Sequence, residues 1–66
     1  ANIVANAILS LAPAVPGLMA EGATFIASGI IDSRKDEVIA GLEKAGLAVA
    51  EVKEKRGWEC IVCKKA

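Results

Sequence analysis

The sequence predicts an α/β fold in which a strand end is followed by a helix, a strand, a second helix and two strands, the last of them antiparallel. The continuously apolar run at residues 23–30 is typical of a strand buried on both faces of a parallel sheet. Apolar residues then recur with a helical period in residues 35–45. Lys55, Arg56 and Gly57 form a tight connection between two further strand-like segments, and such a hairpin requires an antiparallel pair.

The opening of the chain, ANIVANAILSLAPAVPGLMA, carries no charge before Glu21. A secretory signal is disfavoured because no basic segment precedes the apolar residues. A membrane-spanning helix needs roughly 20 predominantly apolar residues, and the closely spaced Pro13 and Pro16 disfavour it. We therefore expect the cut surface of a longer chain, with a strand end at residues 1–4 and a helix at residues 5–19 that restarts near Pro13. One face of this helix is expected to carry Ile8, Leu11, Ala12, Val15 and Leu18.

The second helix has its own start and stop signals. Asp32 or Ser33 can cap it, and Ser33 with Asp36 forms an S-x-x-D start. Gly46 is a natural stop at its carboxyl end. The apolar stripe of this helix consists of Val38, Ile39, Leu42 and Ala45. The two strands that follow are expected at residues 47–54 and 58–64.

Composition restricts the possible functions. A chain of 66 residues forms one small domain at most. Its eight basic residues balance eight acidic residues, which gives no electrostatic argument for binding to nucleic acid or to an anionic membrane. Histidine, the commonest general base and transition-metal ligand, is absent from the sequence. We therefore expect neither nucleic acid nor a membrane as a partner, and no metal.

The spacing of Cys60 and Cys63 raises the possibility of a redox pair or a zinc site. The intervening Ile61 and Val62 favour a strand, in which residues three apart lie roughly 10 Å from each other on opposite faces, too far for a disulfide. Zinc would need two more ligands, which would have to come from another copy of the chain. The prediction is that both cysteines are reduced packing residues of an intracellular protein.

The element order and several motifs resemble a known family. An α/β sheet that ends in an antiparallel hairpin resembles the class I S-adenosylmethionine-dependent methyltransferases, whose Rossmann-like sheet has its last strand inserted between the two preceding strands. The motifs ANIV, LAP, EGATFIASGII, DEVIAGLEKAG and the closing W-x-x-x-V resemble the methyltransferases of ribosomal protein L-eleven. The resemblance covers residues 1–66 and implies the C-terminal half of a cytoplasmic enzyme that methylates lysine or N-terminal amines of a ribosomal protein.

The resemblance also implies roles for individual residues. Asn2 is similar to the asparagine of the family's fourth motif, which implies contact with S-adenosylmethionine close to the amine that is methylated. The alternative is that Asn2 caps the following helix, which asparagine does well. Ser28 and Gly29 are expected to end the next strand, where they could line the substrate entrance. Gly29 could equally serve only to permit a tight exit turn.

The sequence lacks the acidic, glycine-rich turn that the resemblance implies for the cofactor-binding half of such an enzyme. We therefore expect the cofactor-binding half and the substrate-recognition domain to be absent. The 66-residue chain is expected to be inactive and not to bind S-adenosylmethionine tightly. An exposed strand edge and apolar helix face also predict self-association. The alternative function is a standalone α/β interaction module, whose uncharged N-terminal third docks onto a partner.

Overall fold

The computed structural model describes residues 3–65. Three helices and three strands form the domain, with two short 3-10 turns between them. In chain order these are α1 (Ile3–Leu11), a 3-10 turn (Ala12–Ala14), α2 (Val15–Leu18), β1 (Thr24–Ile31), a second 3-10 turn (Asp32–Arg34), α3 (Lys35–Lys44), β2 (Leu47–Lys55) and β3 (Trp58–Lys65).

The three strands form one sheet in the order β1-β3-β2. β3 is antiparallel to both neighbours, so β1 and β2 run parallel to each other and are connected through α3. The last strand therefore lies between its two predecessors, which is the position that the family resemblance implied. The α/β class and the antiparallel last strand are confirmed.

The two faces of this sheet have different surroundings. The covered face packs against α1 and α3 around a single aliphatic core, and its buried strand residues are Ala27, Ile30, Leu47, Glu59, Ile61 and Cys63. On the open face the strand register aligns Ile26 with Val62 and Ile31 with Trp58. Ile26 is 60% exposed and Trp58 is 54% exposed. The prediction that the apolar run at residues 23–30 is buried on both faces is therefore wrong for the described part of the protein.

The first helix begins earlier than the sequence predicted. Ile3 and Val4 belong to α1, so the predicted strand end at residues 1–4 is wrong at these two positions, while Ala1 and Asn2 lie outside the described residues. The break near Pro13 is confirmed, because a 3-10 turn separates α1 from α2. This tighter winding changes the phase of the residues that follow it, and Leu18 is exposed. Leu11, at the end of α1, is also exposed. Of the expected face, Ile8 and Ala12 are buried, Val15 is half-buried and Leu18 is exposed.

The second predicted helix, α3, has the expected apolar stripe. Val38 and Leu42 are buried, and Ile39 and Ala45 are half-buried against them. Its carboxyl end is also confirmed: Gly46 has φ +102° and donates its N–H to the carbonyl of Glu43.

The predicted cap of that helix is wrong. Asp32 and Ser33 form a 3-10 turn, and α3 begins after Arg34, which provides no side-chain cap hydrogen bond. A 3-10 turn satisfies backbone groups before the helix starts, so a side-chain oxygen is not needed at that point.

The hairpin between β2 and β3 has a two-residue turn. Arg56 and Gly57 have φ of +53° and +83°, and positive values at both positions define a type I′ turn. Lys55 and Trp58 pair on either side of the turn. The N–H of Gly57 also donates to Glu54 Oε2 at 2.8 Å. The predicted strand–turn–strand segment is confirmed.

Candidate functional site

The carboxyl ends of β1 and β2 lie at one edge of the sheet, because these strands run parallel. We call this region the carboxyl edge; it comprises residues 28–34 and the hairpin turn. The N–H of Asp32 donates to the carbonyl of Gly57 at 2.9 Å, which joins the exit of β1 to the turn. Open α/β sheets bind ligands beyond the carboxyl ends of their strands, so this edge is the first place to examine for a site.

Ser28 and Gly29 form a bulge within β1. They lie together opposite Cys60, since Ala27 pairs with Ile61 and Ile30 pairs with Glu59. The expectation that these residues end the strand is wrong, because β1 continues to Ile31. The physical reason lies in the apolar spacing: residues three apart point to opposite faces of a regular strand, and the extra residue lets both Ala27 and Ile30 reach the core.

The start of α1 lies against this bulge. Gly29 has φ +75°, a conformation that favours glycine. A Cβ atom placed on Gly29 would lie 3.8 Å from Val4 Cγ1, so the helix passes within side-chain contact distance of the strand. Both Ser28 and Gly29 are exposed. The structure therefore brings the two entrance candidates next to the first described turn of α1.

A polar cluster at the same edge connects α1 with α3. Arg34 donates from Nε to Glu37 Oε1 at 2.6 Å, and from Nη2 to Glu37 Oε2 at 3.1 Å and to Asn6 Oδ1 at 2.8 Å. The hydrogen bond from Arg34, with the charge of its guanidinium, holds the pKa of Glu37 below its ordinary value, against a smaller opposing effect of burial. This bidentate arrangement fixes the direction of the Arg34 side chain.

Glu59 is the buried polar residue of the covered face. It is 3% exposed, and its Oε1 atom has no hydrogen-bond partner among the described residues. It pairs across the sheet with Ile30 on one side and with the exposed Glu54 on the other. A buried acceptor without a donor costs stability.

The candidate cofactor residue Asn2 lies outside the described residues. The polar cluster of Asn6, Arg34 and Glu37 was missed by sequence reasoning, because Asn6 and Arg34 are 28 positions apart and no local pattern links them. The bulge could have been found, since a glycine inside a strand pattern is a recognised signal for one. The buried position of Glu59 could have been read from the alternation of β3.

The cysteines do not form a site in the described part of the chain. Both are free, and they point to opposite faces of β3, as expected from their spacing. Cys63 is buried on the covered face, where burial and the nearby charge of Glu43 raise the pKa of its thiol. Within residues 3–65 no group of three or more histidine, cysteine or acidic residues is placed to hold a metal ion. No helix in this range is long and apolar enough to cross a membrane.

The described residues fit the needs of S-adenosylmethionine only in part. The bulge at Ser28 and Gly29, with Val4 beside it, fits one wall of a ligand site at a strand end. The glycines in this part of the chain do not build a cradle: Gly46 and Gly57 terminate a helix and form a turn, and Gly41 admits the side chain of Leu9. Among residues 3–65, these three glycines therefore do not form a phosphate- or ribose-binding turn.

The fold defines one class of protein: an α/β domain whose antiparallel last strand lies between the two preceding strands. The family model described as Ribosomal protein L11 methyltransferase (PrmA) matches residues 1–66. The chain belongs to the ribosomal protein L11 methyltransferase family.

Individual relatives agree with the family match. The chain is 43% identical over 65 residues to a ribosomal protein L11 methyltransferase of Agathobacter rectalis, covering 98% of this chain and 20% of the relative. It is 46% identical over 63 residues to the ribosomal protein L11 methyltransferase of Desulforamulus reducens, and the match covers 96% of this chain and 20% of the relative. It is 50% identical over 58 residues to the ribosomal protein L11 methyltransferase of Desulfitobacterium hafniense, and the match covers 88% of this chain and 19% of the relative. The chain thus spans about a fifth of the length of these relatives.

Proposed function

We propose that residues 1–66 form the C-terminal part of an S-adenosylmethionine-dependent methyltransferase that modifies a ribosomal protein. The observation that carries this proposal is the family match along the whole chain, together with relatives at 43–50% identity that are named for methylation of ribosomal protein L11. The acceptors would be lysine or N-terminal amines, and the enzyme would act in the cytoplasm.

The three strands would be the last three of a larger Rossmann-like sheet. The observed order β1-β3-β2, with a parallel outer pair connected through α3, supports this assignment. β1 pairs with β3 along one edge, so its other edge is available for the preceding strand of such a sheet. The remainder of the enzyme would supply the glycine-rich cofactor turn and the substrate-recognition domain.

At the proposed site, S-adenosylmethionine supplies the methyl group that is transferred to the acceptor amine. The residues of this chain would hold the cofactor and orient the acceptor amine. Asn2 precedes α1, and its carboxamide would contact the cofactor and accept an N–H of the amine. The bulge at Ser28 and Gly29 would border the path of the acceptor. Positioning and the exclusion of water would contribute most of the rate in such a displacement.

The 66-residue chain by itself would be inactive. Support comes from the glycines of the described residues, which serve a bulge, a turn, a helix stop and helix packing. S-Adenosylmethionine is therefore expected to bind only weakly to the isolated chain and tightly to the polypeptide that carries the glycine-rich turn.

The proposal is tested first on the native polypeptide. We would isolate the polypeptide that contains this sequence from its source cells, and measure its intact mass and the peptides upstream of Ala1. A mass several-fold above 6.8 kDa, with an acidic glycine-rich turn upstream, is the expected result. A native chain that begins at or near Ala1 would instead favour the standalone interaction module.

The second test concerns Asn2. In the native polypeptide, Asn2→Ala is expected to lower methyl transfer to ribosomal protein L11 by about a hundredfold, the cost of losing a positioning contact. Ser10→Ala on the exposed side of α1 is the matched control and should leave transfer unchanged. Equal rates for the two variants would mean that Asn2 only caps the helix.

A further inference from the structure

The first described turns of α1 pack against the core. Ala5 and Ile8 are buried, and Leu9 packs so closely on α3 that a Cβ atom on Gly41 would overlap it. This packing decides which face of the helix is turned towards the sheet. A directional polar contact on the exposed side of the helix adds a further restraint on its position.

Arg34 provides such a contact. Its side chain is only 24% exposed, and its Nη2 atom donates to Asn6 Oδ1 at 2.8 Å. The same guanidinium is held from the other side by both carboxylate oxygens of Glu37 in the first turn of α3. Because Glu37 fixes the guanidinium, the hydrogen bond to Asn6 restrains the first turn of α1 at a defined point.

The location of this contact relates it to the site. Arg34 ends the 3-10 turn that follows β1, at the carboxyl edge. Asn6 follows Asn2 by four positions in the sequence, and Val4 between them faces the bulge at Gly29. A shift or rotation of the α1 start would therefore alter what this helix presents beside the bulge.

We propose that Arg34 is a positioning residue for the methyltransferase site: it holds the start of α1 at the carboxyl edge through Asn6, with Glu37 as its anchor. The proposal rests on the proposed function, because the α1 start follows Asn2. Arg34 does not touch the reacting atoms in this assignment. Its effect passes through the hydrogen bond to Asn6.

The chemistry of arginine allows this role and that of lysine does not. The guanidinium presents several N–H groups in a planar fork, so it can donate to Glu37 and Asn6 together. A lysine ammonium is a single point on a flexible stem and keeps the charge without the fork. Arg34→Lys therefore keeps the positive charge of the side chain but removes the planar arrangement of its N–H donors.

The experiment uses the native polypeptide with the variants Arg34→Lys, Asn6→Ala and the double variant. Lys53→Met is the control, since Lys53 is an exposed cation of β2 whose carboxylate neighbour, Glu51, lies 3.9 Å away. Two quantities are measured: amide hydrogen exchange of residues 4–9, and the dissociation constant of S-adenosylmethionine by calorimetry. Thermal unfolding shows which variants remain folded. Asn6→Ala removes only a surface amide, so it tests the same contact even if Arg34→Lys does not fold.

Both single variants are expected to speed exchange in residues 4–9 and to raise the dissociation constant roughly three- to thirtyfold, the range for residues that act without touching the ligand. The double variant should be no worse than the more affected single variant, because one contact is removed. Lys53→Met should change neither quantity.

A failure of the Arg34 role can be distinguished from a failure of the proposed function. Binding by the wild type with unchanged dissociation constants in the variants would overturn the role of Arg34 and leave the proposed function intact. A wild-type polypeptide that does not bind S-adenosylmethionine would overturn the proposed function and, with it, this role. Faster exchange without weaker binding would make the contact structural only and overturn the positioning role.

Discussion

The covered face and the open face of the sheet are made by the same three strands but differ in what lies over them. On the covered face, Ile30 and Ile61 are completely buried beneath the helices. On the open face, Ile26 and Trp58 are more than half exposed. The difference shows that an apolar residue in a strand does not by itself indicate burial, because the helices of this chain that the structure describes pack on one side only.

The bulges of the outer strands support the same distinction. Ser28 and Gly29 in β1 oppose one residue of β3, and Ala50 in β2 is the extra residue between Val49 and Glu51. The bulge in β1 moves Ile30 onto the covered face, where it is buried, whereas Val52 after the bulge in β2 stays 39% exposed. The irregularity of β1 thus serves the core.

The largest expected effect contrasts equivalent substitutions on the two faces. Ile61→Ala should lower the free energy of unfolding by about 2–5 kcal/mol, because it leaves a cavity in the core. Ile26→Ala on the open face should change it by about 0.5 kcal/mol or less. Urea titration of both variants, at a protein concentration low enough to keep the chain monomeric, measures the difference. Equal losses would mean that the open face is covered within the monomer.

Glu59 is the exception on the covered face and gives the next largest effect. Glu59→Met replaces a carboxylate whose buried Oε1 atom has no donor within residues 3–65 with an apolar side chain of similar length. We expect the free energy of unfolding to rise by about 1–3 kcal/mol, the cost of an unsatisfied buried group. The matched variant Glu54→Met, at an exposed position opposite, should have little effect. A less stable Glu59→Met protein would mean that Glu59 has a donor in solution.

The open face also predicts self-association of the 66-residue chain. Ile26, Trp58 and Val62 form an apolar surface, and β1 has one strand neighbour among the described strands. Such a face and edge favour association. Light scattering over a concentration series should show a mass above that of the monomer, and Ile26→Lys should reduce it. A monomeric mass at every concentration would contradict the prediction.

The alkylation rates of the two cysteines are expected to differ, because the two thiols lie on different faces of the sheet. Cys60 is half-buried on the open face, whereas Cys63 is buried and its thiol pKa is raised. Only the thiolate reacts, so iodoacetamide should modify Cys60 well before Cys63 at neutral pH. Mass spectrometry of digested samples over time measures both rates. Similar rates in the native state would show that the covered face opens readily.

The smallest expected effect concerns the ion pair between Arg34 and Glu37, beside the helices of the covered face. The folded-state pKa of Glu37 is lowered by Arg34, so its contribution to stability is present above the ordinary value of 4.5 and is lost as the pH falls through the folded value. The wild type should be more stable than Glu37→Gln at neutral pH, and the difference should shrink in acid. Urea titrations at several pH values test this. A difference that does not depend on pH would exclude an ionic origin.

Several elements were predictable because their signals are local. The turn at Arg56 and Gly57, the stop at Gly46 and the apolar stripe of α3 each depend on neighbouring residues, and each is confirmed. The cap at Asp32 or Ser33 was wrong because a 3-10 turn competes with a capped start, and sequence alone does not decide between them.

The candidate site was predictable only in part. Ser28 and Gly29 were identified as residues at the carboxyl side of the sheet, but their bulge depends on pairing with β3, which lies about thirty positions further along the chain. The contact between Arg34 and Asn6 depends on the packing of two helices, and no short-range pattern encodes it. Asn2 remains a prediction from family resemblance.

The sequence by itself determined the order of the elements after α1, the hairpin and the helix that connects β1 to β2, since turn geometry and helical periodicity act over a few residues. The tertiary structure decided which face of the sheet is covered, where β1 bulges, and that Glu59 Oε1 is buried without a donor among the described residues. These outcomes depend on contacts between segments far apart in the chain. Such contacts form only when the helices pack on the sheet, so they leave no pattern in any one segment.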